Sequence, residues 1–160
     1  MPNVIVNTSP IQYLYQVNLL DLLPALYDQI MLPESVFNEL ATGLSLGVSL
    51  PNVSSLSWVT IAKAKSQAIL PLVTELGAGE REVLALALET TNSLVILDDG
   101  LARSFATLLE IRFTGTLGVL LKAKQMGYIS AIGPILEQLN ALNFRCSSSM
   151  RNSVLKLAGE

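Results

Sequence analysis

Short apolar runs alternate with helix-like segments along this chain, and this alternation limits the folds that are open to it. The clearest runs are Val4-Ile5-Val6 and Leu94-Val95-Ile96-Leu97, and turn-forming residues follow each of them. Strands that alternate with helices are typical of a parallel sheet that is covered by helices on its faces. The sequence therefore predicts a parallel α/β sandwich.

The pattern also predicts where these elements lie. Thr8-Ser9-Pro10 opens the first helix, and Ser147-Ser148-Ser149 suits the N-cap of the last one. No internal repeat or long linker divides the chain, so we expect one domain over residues 1–160 with a C-terminal helical tail at about 130–158. Strands are predicted at 3–7, 29–32, 58–62, 94–97 and 111–113, further helices at 19–27, 33–40, 79–91, 101–109, 115–125, 134–142 and 150–157, and a Gly/Ser/Pro-rich loop at 43–57.

The composition excludes several kinds of chemistry. The 160 residues include no histidine, which excludes Ser-His-Asp hydrolysis, histidine-bound zinc and phosphohistidine chemistry. Cys146 is the single cysteine, so it cannot form an internal disulfide, and an ordinary thiol is expected. The formal charge of −3 does not attract nucleic acid in the manner of a basic DNA-binding domain. Carboxylates must therefore carry any chemistry, and any contact with nucleic acid must be local.

The high apolar content raises the question of a membrane. Hydrophobic residues make up 51% of the chain, but no run approaches the roughly 20 consecutive apolar residues that a spanning helix needs. The N-terminal stretch lacks the basic leader and cleavage site of a signal peptide. We therefore expect a cytoplasmic protein.

Polar groups follow the ends of two predicted strands. The first group is Asn7-Thr8-Ser9-Pro10 and the second is Asp98-Asp99-Gly100. Ligands of open parallel sheets bind in the crevice beyond the carboxyl ends of the strands, so residues about 90 positions apart could share one site. The alternative is local, because Thr8, Ser9 and either aspartate can also cap the helix that follows. Each residue taken singly is compatible with both interpretations.

Five segments taken together resemble the PIN-domain nucleases, and in particular the small prokaryotic branch similar to VapC-type toxins. The resemblance covers nearly the full chain and depends on the order and spacing of the segments. The last of them looks like the signature of an uncharacterised PIN-like group. The segments are Val4 to Ile11, Leu32 to Leu40, Gly79 to Ala87, Leu94 to Arg103 and Phe113 to Lys124.

This resemblance implies a three-layer α/β/α sandwich with a central, mainly parallel sheet. It also implies a ribonuclease that depends on Mg²⁺ or Mn²⁺ and hydrolyses phosphodiester bonds in single-stranded or structured RNA. Such a nuclease would be the toxin-like component of a toxin–antitoxin module. A small antitoxin protein is the expected partner, and a homodimer is the expected assembly.

The resemblance further implies a set of site residues. Asp98 and Glu39 are the first candidates for metal ligands, and Glu80 is the next. Asp99 could cap a helix instead, and Glu82 points about 200° around its helix from Glu80. The candidate catalytic and metal-binding residues are Asn7, Glu39, Glu80, Asp98 and Asp99, and the candidates for contact with a substrate phosphate are Thr8, Ser9, Thr114, Thr116, Arg103 and Lys122.

Asn7 departs from the family pattern, which has an aspartate at this position. An amide oxygen can coordinate a metal ion, but it carries no charge and cannot act as a general base. Two alternatives follow. Either the remaining carboxylates sustain a weakened nuclease site, or the chain is a catalytically inactive PIN fold that acts by binding RNA or protein.

A different class of protein also shares one motif. A strand followed by Asp-Asp resembles the receiver domains of phosphorelay proteins. Those domains have the acidic pair near the start of the chain and a phosphoacceptor aspartate on a later strand, whereas no aspartate follows Asp99 here. The order of the motifs therefore argues against a receiver domain.

Overall fold

The computed structural model describes residues 1–66, 71 and 73–160. In this part of the chain five parallel strands form one sheet, with β1 at its centre. The strands are β1 (Asn3–Val6), β2 (Ile30–Pro33), β3 (Val59–Ala62), β4 (Ser93–Ile96) and β5 (Phe113–Thr114), and they lie in the order β3-β2-β1-β4-β5.

Eight α-helices surround the sheet in the same described ranges. They are α1 (Thr8–Gln16), α2 (Leu22–Tyr27), α3 (Glu34–Ser45), α4 (Ala78–Glu89), α5 (Gly100–Leu108), α6 (Thr116–Gln125), α7 (Gly133–Ala141) and α8 (Ser148–Leu157). A short 3₁₀ turn at Val53–Ser55 precedes β3.

The helices form layers on the sheet. Helices α3 and α4 pack against each other and against β2, while α2 and α6 pack together, and α8 packs on α6. The residues of β1 that follow Asn3 are buried, as is the end of β4, so the core lies between the sheet and its helices. The predicted three-layer α/β/α sandwich is confirmed, and the sheet is entirely parallel.

Several predicted boundaries were wrong; the second helix, for example, was predicted to begin at residue 19, whereas α2 begins at Leu22. Helix α3 continues to Ser45 rather than ending at Leu40, so Gly43 lies inside the helix and not in a loop. The Leu50 side chain occupies the space that a Cβ at Gly43 would need, and this packing explains a glycine in the last turn of a helix. Strand β5 begins at Phe113 rather than at Ile111, because Ile111 still bonds to the end of α5 through Ala106.

The expectation about membranes can also be compared with the structure. No helix in the described part of the chain is both long and apolar enough to cross a membrane.

Candidate functional site

The order of the strands places a crevice between the ends of β1 and β4. From β1 the chain runs through β2 to β3 on one side, and β4 and β5 lie on the other side. Val6 pairs with Ile96, and the backbone N–H of Asn7 donates to the Ile96 carbonyl at 3.0 Å. Ligands bind at this kind of switch point in open parallel sheets. Asn7 and Asp98 therefore stand at the same edge, as the sequence predicts.

The side chain of Asn7 is buried at this edge with its amide oxygen unpaired in the described part of the chain. Its extended backbone makes it the N-cap residue of α1, but its side chain makes no capping hydrogen bond. Only 3% of Asn7 is exposed, and its Oδ1 atom has no hydrogen-bond partner among the described residues. A buried, unsatisfied oxygen costs stability, so such groups are rare in folded proteins and require an explanation.

Glu39 lies on α3 and is held by two donors, one at the start of α1 and one in the first turn of α4. The Thr8 hydroxyl donates to its Oε2 at 2.5 Å, and the backbone N–H of Gly79 donates to its Oε1 at 3.0 Å. A Cβ at Gly79 would lie 2.7 Å from Glu39 Oε1, so a side chain at this position would displace the carboxylate. Thr8 therefore orients Glu39 and does not cap α1, which corrects the capping alternative for this residue.

Asp98 follows β4 and is fixed by Thr116. The backbone N–H of Thr116 donates to Asp98 Oδ1 at 2.8 Å, and its hydroxyl donates to Oδ2 at 2.6 Å. Thr116 itself is fully buried. Its hydroxyl is therefore used inside the protein, which argues against the predicted contact of Thr116 with a substrate phosphate. The two bonds hold the Asp98 carboxylate in one orientation.

A positive charge is fixed near Asp98. Arg103 donates from Nε to the Leu97 carbonyl at 2.7 Å, and its guanidinium carbon lies 5.3 Å from the centre of the Phe113 ring. Its Nη2 atom lies directly over the Cα of Gly115, where any Cβ would collide with it. Arg103 is thus held near Asp98, and its contact with a substrate phosphate stays a prediction.

Three other acidic candidates lie against other parts of the protein, and two of them accept backbone hydrogen bonds there. Asp99 accepts a bond from the Ala102 N–H at 2.8 Å and so caps α5. The Glu80 carboxylate lies beside Gly77, where a Cβ would come within 2.8 Å of its Oε2. Glu82 accepts from the Ser35 N–H at 2.7 Å. Asp99 is thus a cap, which was the alternative considered for it, and Glu80 and Glu82 point to different neighbours.

The metal-ligand set that the resemblance implies does not form a compact acidic cluster. Within residues 1–66, 71 and 73–160, no group of three or more histidine, cysteine, aspartate or glutamate side chains is arranged to hold a metal ion. What the edge does offer is two oriented carboxylates, Glu39 and Asp98, and the unpartnered amide oxygen of Asn7.

The remaining phosphate candidates separate into two groups. Thr114 ends β5 and lines a cavity with Asp98, and Ser9 lies partly exposed in the first turn of α1. Lys122 is elsewhere: its Nζ stacks 4.5 Å from the centre of the Tyr27 ring. Because Tyr27 precedes β2, this contact lies toward the amino ends of the strands, and Lys122 does not face the crevice. Burial raises the pKa of the Tyr27 hydroxyl.

The sequence did not single out the part of the tail that approaches the site. A cavity of about 310 Å³ beside Asp98 is lined partly by Phe144, Arg145 and Met150, which lie between α7 and α8 or in the first turn of α8. The basic and aromatic character of Phe144-Arg145 was visible in the sequence. Its position was not, because nothing local indicates that the tail folds back onto the end of β4.

Comparisons with known proteins test the resemblance to a protein family. Neither the comparison with curated proteins nor the comparison with solved structures gave a match. A family model described as PIN domain matches residues 3–160, which include every element of the sheet and all the residues of the candidate site. The chain therefore belongs to the PIN-domain family.

Proposed function

We propose that this protein is a metal-dependent endoribonuclease of PIN type that hydrolyses phosphodiester bonds in single-stranded or structured RNA. Membership of the family supports a nuclease-type fold. The oriented carboxylates of Glu39 and Asp98 at the sheet edge, with Arg103 nearby, support the chemistry.

The observation that carries this proposal is the unpartnered Asn7 Oδ1. This atom is buried in the crevice. Asn7 is followed in sequence by Thr8, which orients Glu39. The backbone of Asn7 bonds to the end of β4, the strand that precedes Asp98. A hard cation prefers oxygen ligands, and Mg²⁺ binds through one or two carboxylates while keeping several waters. Two carboxylates and one amide oxygen fit that ion, and binding would satisfy the buried atom.

A bound Mg²⁺ or Mn²⁺ would polarise a phosphodiester oxygen and lower the pKa of bound water. The protein's own residues would then have separate tasks. Glu39, Asp98 and Asn7 would hold the ion, with Glu39 kept in place by Thr8 and Gly79, and Asp98 by Thr116. Arg103 would neutralise charge on the substrate phosphate.

A second candidate function follows from the same residue. Asn7 contributes no charge, and the described residues contain no group of three acidic ligands. If the missing charge lowers the affinity for the metal ion too far for catalysis, the protein is an inactive PIN fold that acts by binding RNA or protein. The two functions differ in metal dependence, since binding alone would survive removal of divalent cations.

The physiological setting is part of the proposal as well. As a toxin-like nuclease, the protein would be inhibited by a small antitoxin protein and would act as a homodimer. The apolar side chains of Leu46 (77% exposed) and Leu108 (76% exposed) are compatible with surfaces that a partner covers. Light scattering of the purified chain would test the dimer directly.

The first experiment is a calorimetric titration of Mn²⁺ into the native protein and three variants. Saturable binding is expected in the native protein and is expected to disappear in Asp98→Asn. Asp21→Asn, a change at an exposed aspartate without a capping bond, should bind like the native protein. Asn7→Asp should bind more tightly, because it adds a third carboxylate.

Cleavage of a labelled single-stranded RNA with Mg²⁺ or Mn²⁺ then separates the two functions. Activity in the native protein that is lost in Asp98→Asn supports the nuclease. If the native protein cuts nothing while Asn7→Asp cuts RNA, the nuclease proposal fails and the binding function takes its place.

A further inference from the structure

The cavity beside Asp98 has a mixed lining, of which the proposed chemistry uses Asp98 and Arg103. It lies beyond the end of β5, and its far wall is built by the segment before α8 and by the first turns of that helix. At about 310 Å³ it reaches the lower end of the range of small-ligand sites, about 300–1,000 Å³. Its lining includes Asp98, Arg103, Phe113, Phe144, Arg145 and Met150.

Arg145 supplies an exposed positive charge at this cavity. It is exposed, and among the described residues no ion pair or side-chain hydrogen bond is formed by its guanidinium. Two other arginines are engaged by side chains: Arg151 pairs with Glu137, and Arg112 donates to Asn92. Arg103, which the Leu97 carbonyl holds in place, lines the same cavity, so two guanidinium groups share it with the Asp98 carboxylate.

The apolar part of the lining suits a flat ring. Phe144 is held by an edge-to-face contact with Tyr13, with ring centres 5.0 Å apart and an angle of 84° between the rings. Met150 is 45% exposed at the mouth of the cavity, where its flexible thioether can adapt to an aromatic surface. Aromatic side chains beside basic ones are the usual means of holding an unstacked base of a single strand.

We propose that the Asp98 cavity is a nucleotide subsite, in which Arg145 binds a backbone phosphate and Phe144 and Met150 contact an unstacked base of single-stranded RNA next to the scissile bond. The position of the base next to a scissile bond rests on the proposed function, but binding of RNA at the subsite does not require cleavage. A duplex cannot present an unstacked base, so the subsite selects single strands.

Binding without metal ions tests the subsite separately from catalysis. The probe is a fluorescein-labelled, mixed-sequence, single-stranded oligoribonucleotide, and its anisotropy is followed in EDTA. Arg145→Gln is expected to raise Kd about tenfold, which corresponds to one charge-assisted hydrogen bond. Arg112→Gln removes the same charge toward the amino end of β5, next to Asn92, and should change Kd less than about twofold.

A second pair of probes tests the base contact. Met150→Ala removes an exposed side chain and should weaken binding of the single strand about fivefold, the low end of the range for one lost base contact. The same variant should bind an abasic strand of equal length as the native protein does. Loss of affinity for both strands would argue for general damage to the tail and against base recognition.

The remaining outcomes distinguish the subsite from non-specific binding and from the nuclease activity. The subsite would be overturned if Arg145→Gln and Arg112→Gln weakened RNA binding equally. It would also be overturned if the native protein showed no saturable binding up to about 100 μM, the weak limit of non-specific affinity. RNA cleavage that persists with an unchanged KM in Arg145→Gln would overturn it while leaving the nuclease intact. Arg145-dependent binding in a protein that cleaves no RNA would leave the subsite and remove the nuclease.

Discussion

Thr116 holds both oxygens of Asp98, one through its backbone N–H at 2.8 Å and the other through its hydroxyl at 2.6 Å. The two residues belong to different elements, since Asp98 follows β4 and Thr116 begins α6. The start of one helix thus fixes a carboxylate that another strand delivers. This arrangement orients the acidic group through two hydrogen bonds from an uncharged residue.

Removing the Thr116 hydroxyl should loosen Asp98. In Thr116→Val the backbone bond remains, but Oδ2 loses its donor, and we expect a loss of about 1.5 kcal/mol in the free energy of unfolding. This is the low end for a bond to a charged group, because water can reach the partly exposed Asp98. Thermal unfolding would show the effect.

The matched control for this change is Thr107→Val. Thr107 is exposed, and its hydroxyl donates only to the Arg103 carbonyl in its own helix. The change should stay within about 0.5 kcal/mol. Equal stability of the two variants would mean that the Thr116 hydroxyl does not restrain Asp98.

Two glycines at the start of α4 distinguish Glu39 from Glu80 as metal ligands. Alanine normally stabilises a helix by up to about 1 kcal/mol relative to glycine, but a Cβ at Gly79 would collide with the Glu39 carboxylate. We expect Gly79→Ala to lower the affinity for Mn²⁺ about tenfold, as for other residues that orient ligands. Calorimetry measures the affinity directly.

The companion variant is Gly77→Ala, whose Cβ would meet only the end of the flexible Glu80 side chain. It should leave the affinity for Mn²⁺ within about twofold of the native value, well below the effect on a ligand-orienting residue. The reverse result, with Gly77→Ala harmful and Gly79→Ala harmless, would assign the metal to Glu80.

Gly115 provides the space for Arg103. Its backbone angles, φ −130° and ψ −174°, are open to any residue, so an alanine there causes no backbone strain. The added Cβ would instead displace the Arg103 guanidinium and press on Asp98 Oδ1, which it would approach to 2.8 Å. We expect Gly115→Ala to weaken RNA binding about tenfold, since a charge-assisted bond contributes about 1.5 kcal/mol.

Gly100→Ala is the control for that substitution, because nothing lies within 4 Å of the Cβ position at Gly100. Its RNA affinity should match that of the native protein. A native-like affinity for Gly115→Ala as well would show that the fixed position of Arg103 is unimportant.

The sequence predicted most of the fold because local patterns determine it. Apolar runs bounded by polar residues located β1 and β4, and the alternation with helices predicted parallel strands. The edge position of Asn7 and Asp98 followed from these runs alone. The end of α3 was not predicted correctly. Glycine often ends a helix, but Gly43 lies inside α3, where the Leu50 side chain packs against it.

The detailed geometry of the site depends on contacts between residues far apart in sequence. Thr8 looked like a helix cap, and only its bond to Glu39, 31 positions later, shows its role. Lys122 looked like a phosphate ligand until its stacking on Tyr27 placed it elsewhere. No local pattern contains either relationship.

Glu160 gives the tail a dependence on pH. Its carboxylate accepts bonds from the backbone N–H groups of Ile132 and Gly133 and from Lys124. These donors lower the pKa of Glu160 from its ordinary value of 4.5 to about 2. The folded state therefore prefers the ionised carboxylate, so the stabilisation is complete above about pH 4.5 and is lost as the pH falls toward about 2.

Glu160→Gln removes this charge, so its melting temperature should lie below that of the native protein at pH 6. The difference should shrink as the pH is lowered from about 4.5 to about 2, because protonation removes the same charge from the native chain. Glu137→Gln is the control, since Glu137 is largely exposed and pairs with the side chain of Arg151. Its difference from the native protein should be small at every pH. A gap for Glu160→Gln that stays constant between pH 6 and about pH 2 would mean that the bonds at the start of α7 do not depend on the charge of Glu160.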